Sequence, residues 1–345
     1  MNRRVDLPMI TIMLPVRNEE RFIGQTLNQI YEQSYPHDCM EVIVTDGLST
    51  DATANIVRSF ATEHPDLAVR LIPNPKRRSS AGRNLAVQNG CGDYFLLIDG
   101  HVHITSRNMI HDMVQLARKH DVRVLGRPQP LSPPDISFFQ RMVALARHSP
   151  LAHSQESFIY SDYEGWTSPI SVGVMYHRDV FEEVGFFDEA FDAAEDLEFN
   201  YRIERQGIKC FTSPRFTVNY YPRDSFGSLC RQMRRYGYGR AAFIFKHPER
   251  MRLETIVPAG FVVVIVSLLV LGAFWQQALV VLGAILAVYF SILIGEGFRL
   301  SRRHGVEFTV LLPAIIACVH IGLGLGFLSG TVRWPVRLAE KYIRT

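Results

Sequence analysis

ITIMLPVRNEERFIGQTLNQIYEQSYPHDCMEVIVTD, residues 10–46, is the stretch whose reading decides the fold. Its first seven residues are an apolar, strand-like run, and EVIVT (41–45) is a second, ending at Asp46. Between them Phe22, Ile23, Leu27 and Ile30 recur at helical spacing, which predicts a helix over 21–33. Strand, helix and strand in so short a span predict a parallel pair joined by a crossover helix. The alternation continues outward, with a helix over 50–63, a strand over 67–72, a helix over 80–89 and a strand YFLLI (94–98) ending at Asp99. A further strand-like run, ISVGVMY (170–176), precedes helices over 180–184 and 195–205, and the Pro-rich RPQPLSPPD (127–135) reads as a connection between two halves of the domain. The expected fold class is therefore α/β, a mostly parallel sheet with flanking helices. Ligands of such sheets bind beyond the carboxyl ends of the strands, so Asp46 and Asp99 are expected on one rim.

The far end of the chain is different. Of 345 residues, 47% are apolar and 71 are Asp, Glu, Lys or Arg, a balance that excludes a disordered chain. Yet residues 255–330 hold only Glu296, Arg299, Arg302, Arg303 and Glu307 as charges. Within them, 255–275 and 278–294 are free of charge and are separated by two glutamines, which predicts a helical hairpin across a bilayer. The basic RLSRRH then reads as a loop returned to the cytoplasmic side, followed by a third segment, 308–330, that either spans or is re-entrant. Three spans would place the tail outside, against the bias of Arg333, Arg337, Lys341 and Arg344. The expected domains are 1–225, a basic interfacial segment 226–254, and a membrane region 255–345. A net charge of +3 is too small to argue for nucleic acid. Arg231, Arg234, Arg235, Arg240, Lys246, Arg250 and Arg252 crowd the approach to the first apolar run, where they favour the cytoplasmic face and anionic lipid. Five cysteines without metal-site spacing are expected to be reduced packing residues.

Five short motifs carry the chemistry, each with a plainer structural reading beside it. In DGH (99–101), Asp99 and His101 flank Gly100 and can face one side of an extended turn, where they would hold a divalent cation, manganese somewhat better than magnesium. The alternative is a capping aspartate and a solvated histidine. In DGLSTD (46–51), Asp51 suits a helix cap, while Asp46 can accept hydrogen bonds from a base or ribose. PKRRSSAGRN (75–84) sets Arg78 and Arg83 around a helix start, either as a diphosphate site or as a solvated basic loop. Glu195 and Asp196 of AED (194–196) fit the helix dipole, or supply a general base. Gln232, Arg235 and Tyr236 of RQMRRYGYGR (231–240) lie on an interfacial helix, or neutralise a leaving diphosphate.

Taken in order, PVRNEE (15–20), DGLSTD, GRN (82–84), DGH, AED and QMRRY resemble the successive signatures of family 2 glycosyltransferases with the GT-A fold. The likeness extends over roughly residues 8–240 and is nearest to membrane-anchored bacterial exopolysaccharide transferases of the succinoglycan type. The resemblance implies an inverting transfer from a nucleotide-sugar, usually a UDP-sugar, with a divalent cation (Mn2+ or Mg2+). It implies donor contacts from Pro15, Arg17, Glu19 and Asp46, with Arg78, Arg83 and Asp99. Asp99 and His101 would stand at the Asp-x-Asp position, Asp196 would be the base beside Glu195, and Gln232, Arg235 and Tyr236 would stand at Gln-x-x-Arg-Trp. His101 in place of aspartate and Tyr236 in place of tryptophan are departures, the second favouring single-sugar addition over processive synthesis. The implied partners are a nucleotide-sugar, a lipid-linked or other membrane-associated acceptor and membrane lipids. The implied place is the inner (plasma) membrane, with the catalytic domain cytoplasmic. Two rivals remain: a polyprenyl-phosphate glycosyltransferase, and a non-catalytic nucleotide-sensing membrane protein.

Overall fold

The computed structural model describes residues 7–152, 158–305, 309 and 311–343. In chain order the first elements are β1 (Ile10–Val16), α1 (Ile23–Tyr31), β2 (Met40–Asp46), α2 (Thr53–Glu63), β3 (Ala68–Pro73) and α3 (Ser79–Asn89). Next come β4 (Tyr94–Leu97), β5 (Val102–Ile104), α4 (Met109–His120), β6 (Val124–Gly126), α5 (Phe138–His148), β7 (Gly165–Thr167) and α6 (Pro169–Val172). Then follow β8 (Gly173–His177), α7 (Arg178–Val184), α8 (Glu195–Arg205), β9 (Cys210–Thr212) and β10 (Val218–Tyr220). Four long helices close the chain: α9 (Phe226–Lys246), α10 (Leu253–Gly272), α11 (Gln276–His304) and α12 (Leu312–Ile343). The chain divides into two compact units, one of residues 1–134 and 156–221, the other of residues 135–155 and 222–345.

The first unit is built on an eight-stranded sheet of order β3-β2-β1-β4-β8-β6-β9-β7. Only β8 and β7 run against the rest, so β1, β2, β3, β4, β6 and β9 all point their carboxyl ends at one rim. The central strands β1 and β2 are buried almost throughout because helices cover both faces, which is why they read as unbroken apolar runs. Edge strand β3 alternates in exposure as a half-covered strand should. The expected helices and strands of residues 10–98 are all present. ISVGVMY is not a single strand: Ser168 caps a short helix with Pro169 in its first turn, and only Gly173 onward pairs as β8. Nor is 127–135 a free connection, since Pro128 and Pro130 accept backbone bonds from Val218 and Tyr220.

In the second unit, α9 packs along α12 through glycines. A Cβ on Gly237, Gly326 or Gly330 would collide with the facing helix, so only glycine permits this approach. Gly324 likewise admits the backbone of α10 at Pro258. Cys230 and Cys318 pair across the same packing, Cα atoms 6.0 Å apart, against the expectation of separate thiols. Among the described residues three helices are long and apolar enough to cross a membrane: Leu253–Gly272, Gln276–Arg302 and Leu312–Trp334. RLSRRH belongs to α11 rather than to a loop, because nothing in it breaks a helix before Gly305. Residues 306–308 and 310, at the expected start of the third segment, lie outside the described residues.

Candidate active site

The sheet rim is assembled by turns that brace one another. Val16 and Asp46 are register partners on β1 and β2, and Gly47 donates its N–H to the Val16 carbonyl. Asn18 (φ 56°) turns the chain after β1, its N–H bonded to Ser49 Oγ at 2.9 Å and its side chain accepting from Thr50 N–H at 2.8 Å. Asp46 accepts from the Ser49 hydroxyl at 2.5 Å and from its N–H, so this carboxylate organises the DGLSTD turn. Asp51 accepts from Thr53 N–H at 3.0 Å just ahead of α2, whose N-cap position is Ala52 rather than Asp51. The side chain of Arg17 lies where a Cβ on Gly47 would reach it, which keeps Arg17 beside Asp46.

Helix α3 carries GRN to the same rim. Gly82 lies so close to Pro15, Thr45 and Asn74 that a Cβ there would meet Thr45 Oγ1 at 2.6 Å. Asn84 clamps Phe187 through two bonds of 2.9 Å, while Arg78 donates to the Glu189 carbonyl at 2.7 Å and Lys76 pairs with the Glu189 carboxylate. These contacts fix the loop that leads into α8 and bring AED against GRN, over 100 residues away in sequence. Arg83 and Glu195 then form an ion pair of 3.1 Å with both side chains buried. Two of the three Arg83 nitrogens, Nε and Nη1, are buried without a hydrogen-bond partner among the described residues.

Asp196, in the first turn of α8, accepts from Leu197 N–H at 2.8 Å and keeps its surface open to solvent. Protein crowds it nonetheless. Desolvation, then the Glu195 charge, push its carboxyl above the usual range, with Arg83 opposing. Asp99, just past β4, accepts from the Tyr220 hydroxyl. Desolvation would raise it too, but Arg83, His101, Tyr220 and Arg127 together outweigh that and hold it below the ordinary value. His101 Nδ1 meets Glu19 Oε1 at 3.0 Å, linking DGH to the turn after β1. Among the described residues no three His, Cys, Asp or Glu side chains gather as a metal cage.

Asp99, Asp196, Glu195 and Arg83 are thus within electrostatic reach of one another, with His101 and Glu19 adjoining, and Pro15, Arg17 and Asp46 at the neighbouring strand ends. Gln232, Arg235 and Tyr236 belong to the second unit, where Gln232 Nε2 donates to Tyr236 Oη at 3.2 Å on one face of α9. Two residues escape the sequence reading. Tyr220, at the end of β10, offers no local signal. Arg127 follows β6 at the same carboxyl rim, fully buried, its three guanidinium nitrogens without a hydrogen-bond partner among the described residues. A three-residue strand opening a proline run hides it, although its strand-end position is the one that singled out Asp46 and Asp99.

Against this geometry, residues 8–239 match the family description "Glycosyltransferase like family 2". The chain is a family 2 glycosyltransferase. It is 24% identical over 328 residues to a Methanococcus voltae protein named dolichyl N-acetyl-alpha-D-glucosaminyl phosphate 3-beta-D-2,3-diacetamido-2,3-dideoxy-beta-D-glucuronosyltransferase, covering 94% of this chain and 97% of that one. It is 28% identical over 321 residues to succinoglycan biosynthesis protein ExoA of Rhizobium meliloti (strain 1021), covering 92% and 93%. Among solved structures, mannosyltransferase PcManGT from Pyrobaculum calidifontis, in complex with GDP-Man and Mn2+, superposes with a TM-score of 0.61 at 20% identity over 94% of this chain and 88% of that one. That likeness shows the GT-A fold. In this family 2 glycosyltransferase His101 pairs with Glu19, and Tyr236 accepts from Gln232.

Proposed function

We propose that the protein is an inverting glycosyltransferase that moves one sugar from a nucleotide-sugar, a UDP-sugar by preference, to a lipid-linked saccharide at the cytoplasmic face of a membrane. The observation that carries this is the position of Asp196: a solvent-open carboxylate with a raised pKa, beside Arg83 and within electrostatic reach of Asp99. The acceptor hydroxyl attacks the anomeric carbon and gives its proton to Asp196. The bond to the diphosphate breaks on the opposite face, and the diphosphate leaves with the electron pair, so the centre inverts. Arg83, with two partnerless nitrogens, is suited to meet the charge that grows on the leaving group. Asp46, Arg17 and Pro15 at the neighbouring strand ends are suited to the nucleoside.

The donor set fits a hard cation: Asp99 would supply an oxygen ligand with His101 beside it, and with no third ligand gathered there among the described residues most of the coordination would come from the diphosphate. Bound there, a cation would neutralise leaving-group charge. A lipid-linked acceptor is supported by the apolar helices and by the printed name of the Methanococcus relative. The basic residues flanking the α10–α11 hairpin, Arg250, Arg252, Arg299, Arg302 and Arg303, support a cytoplasmic side.

The test is a donor panel with membrane extract as acceptor source, reading nucleotide release and product. Asp196→Asn should lose transfer by ~10²–10⁴-fold and keep nucleotide affinity. Wild-type turnover in that variant rejects the assignment. A glycosyl phospholipid in place of a lengthened lipid-linked saccharide makes the lipid phosphate itself the acceptor. Nucleotide binding without any sugar release leaves a sensor.

A further inference from the structure

We propose that α12 does not cross the bilayer but lies in the membrane plane across the cytoplasmic mouth of the α10–α11 hairpin, with one apolar stripe set in the acyl–headgroup layer. Connectivity decides this. The 20-residue α10 is about 30 Å long, so it must use its whole length to span, which puts Leu253 at the cytoplasmic boundary behind Arg250 and Arg252. The start of α12 is at that level too: Pro313 lies against Gly297 at the basic end of α11, and Thr309 donates to Ser301 Oγ at 2.7 Å.

Helices α9 and α12 run parallel, Gly322 on Met233 and Gly330 on Ala241, where a Cβ on Gly330 would stand 2.6 Å from Ala241 Cβ. If α12 spanned, Gly330 would lie ~27 Å beyond Leu312 and well inside the bilayer. Ala241 would be at that depth and Lys246, the end of α9, deeper still. Only residues 247–252 join α9 to α10, and three of them are wound into the 3-10 turn Pro248–Arg250. Six residues reach at most ~20 Å even when extended, which is too little to climb back to Leu253. Gly330 is therefore near the level of Leu253. A single continuous helix with both points at the same level runs in the plane, which also excludes a re-entrant loop.

Two further observations agree. Gly324 packs on the Pro258 carbonyl, about 8 Å inside the start of α10, and meets the Val262 side chain reaching back from the next turn. Arg231, Arg234 and Arg235 are exposed on α9 beside this stretch, and a spanning α12 would drag them into hydrocarbon. The occupant of the remaining face follows from its composition: Ile321, Leu325 and Val332 are exposed at steps of four and seven, an acyl-facing stripe. Arg333 then stays on the cytoplasmic side, and its conflict with the positive-inside bias disappears.

The test uses the full chain with alkaline phosphatase or green fluorescent protein fused after Thr345, and a control fusion in the α10–α11 turn. The expected result is a fluorescent, phosphatase-inactive C-terminus with a phosphatase-active control. An active phosphatase at the C-terminus overturns the proposal. A second measurement fixes depth: Leu325→Trp, read against the parent protein, should be quenched more by lipids brominated near the headgroup than by lipids brominated deep in the chain. Equal or stronger deep quenching also overturns it. Neither readout depends on activity.

Discussion

Arg83→Met removes one half of a buried ion pair and leaves the other half in place. Glu195 stays buried and adjacent to Asp196, with Asp99 also in range, so three carboxylates lose the cation they share. Breaking a buried pair from one side costs about 3–5 kcal/mol. Arg83 already carries two partnerless nitrogens whose desolvation is recovered when they are removed, which places the expectation at the lower end, about 3 kcal/mol. For a unit of this size 1 kcal/mol moves the melting temperature by roughly 2–4 °C, so the shift should be about 6–12 °C. The assay is thermal unfolding in detergent of the parent, Arg83→Met, Glu195→Gln and the double variant. The double variant should be more stable than Arg83→Met alone, because the orphaned charge is gone, with a coupling of ~2 kcal/mol or more. Losses that add within ~0.5 kcal/mol would refute the pairing and with it the claim that GRN positions AED.

Other outcomes follow from the same geometry. Asp196 must be ionised to accept a proton, so kcat/KM should fall as pH drops through a midpoint above the ordinary carboxylate range; Glu195→Gln removes a neighbouring charge and should move that acid limb to lower pH, and an unmoved limb contradicts the coupling. Chelation should abolish transfer and manganese should restore it at least as well as magnesium, whereas full activity in excess chelator counts against Asp99 and His101 as cation ligands. Gly237→Ala drives a methyl into the backbone of α12 at Leu323 and Phe327 and should cost about 1–3 kcal/mol, seen as earlier aggregation on heating in detergent; unchanged behaviour would dispute the close α9–α12 packing.

Much of the first unit was legible because its central strands are buried on both faces and so read as unbroken apolar runs, with Asp46 closing β2 and Asp99 standing just past β4. Asp46 and Asp99 could be placed on one rim by that rule alone. Three-residue strands such as β6 and β9 leave no periodicity, and Arg127 went unread with them. The pairing of Arg83 with Glu195 was equally hidden, since it depends on Asn84 and Arg78 holding a loop more than 100 residues downstream. In the second unit, apolar length marked the hairpin but said nothing of direction for α12. GLGLG signalled close packing; which helix it packs on is a tertiary fact, and that fact decides whether the segment spans.

The two central carboxylates are pushed in opposite directions although the same guanidinium serves both. Arg83 lowers Asp99 and Asp196 alike, so it cannot by itself distinguish them. Their other neighbours do. Asp99 has His101, the Tyr220 hydroxyl and the buried charge of Arg127 on its side, all favouring the anion; Asp196 has Glu195 at the next position, which opposes it. A carboxylate held ionised suits a divalent cation that accompanies a diphosphate, and one raised above its ordinary value suits a base that must take up a proton and release it. Pairs of acids driven in opposite directions by their surroundings divide acid–base labour in this way. Arg127 is then no spare cation: without it the Asp99–Tyr220 contact would be a buried anion with one supporting charge fewer, and the two aspartates would drift toward the same pKa.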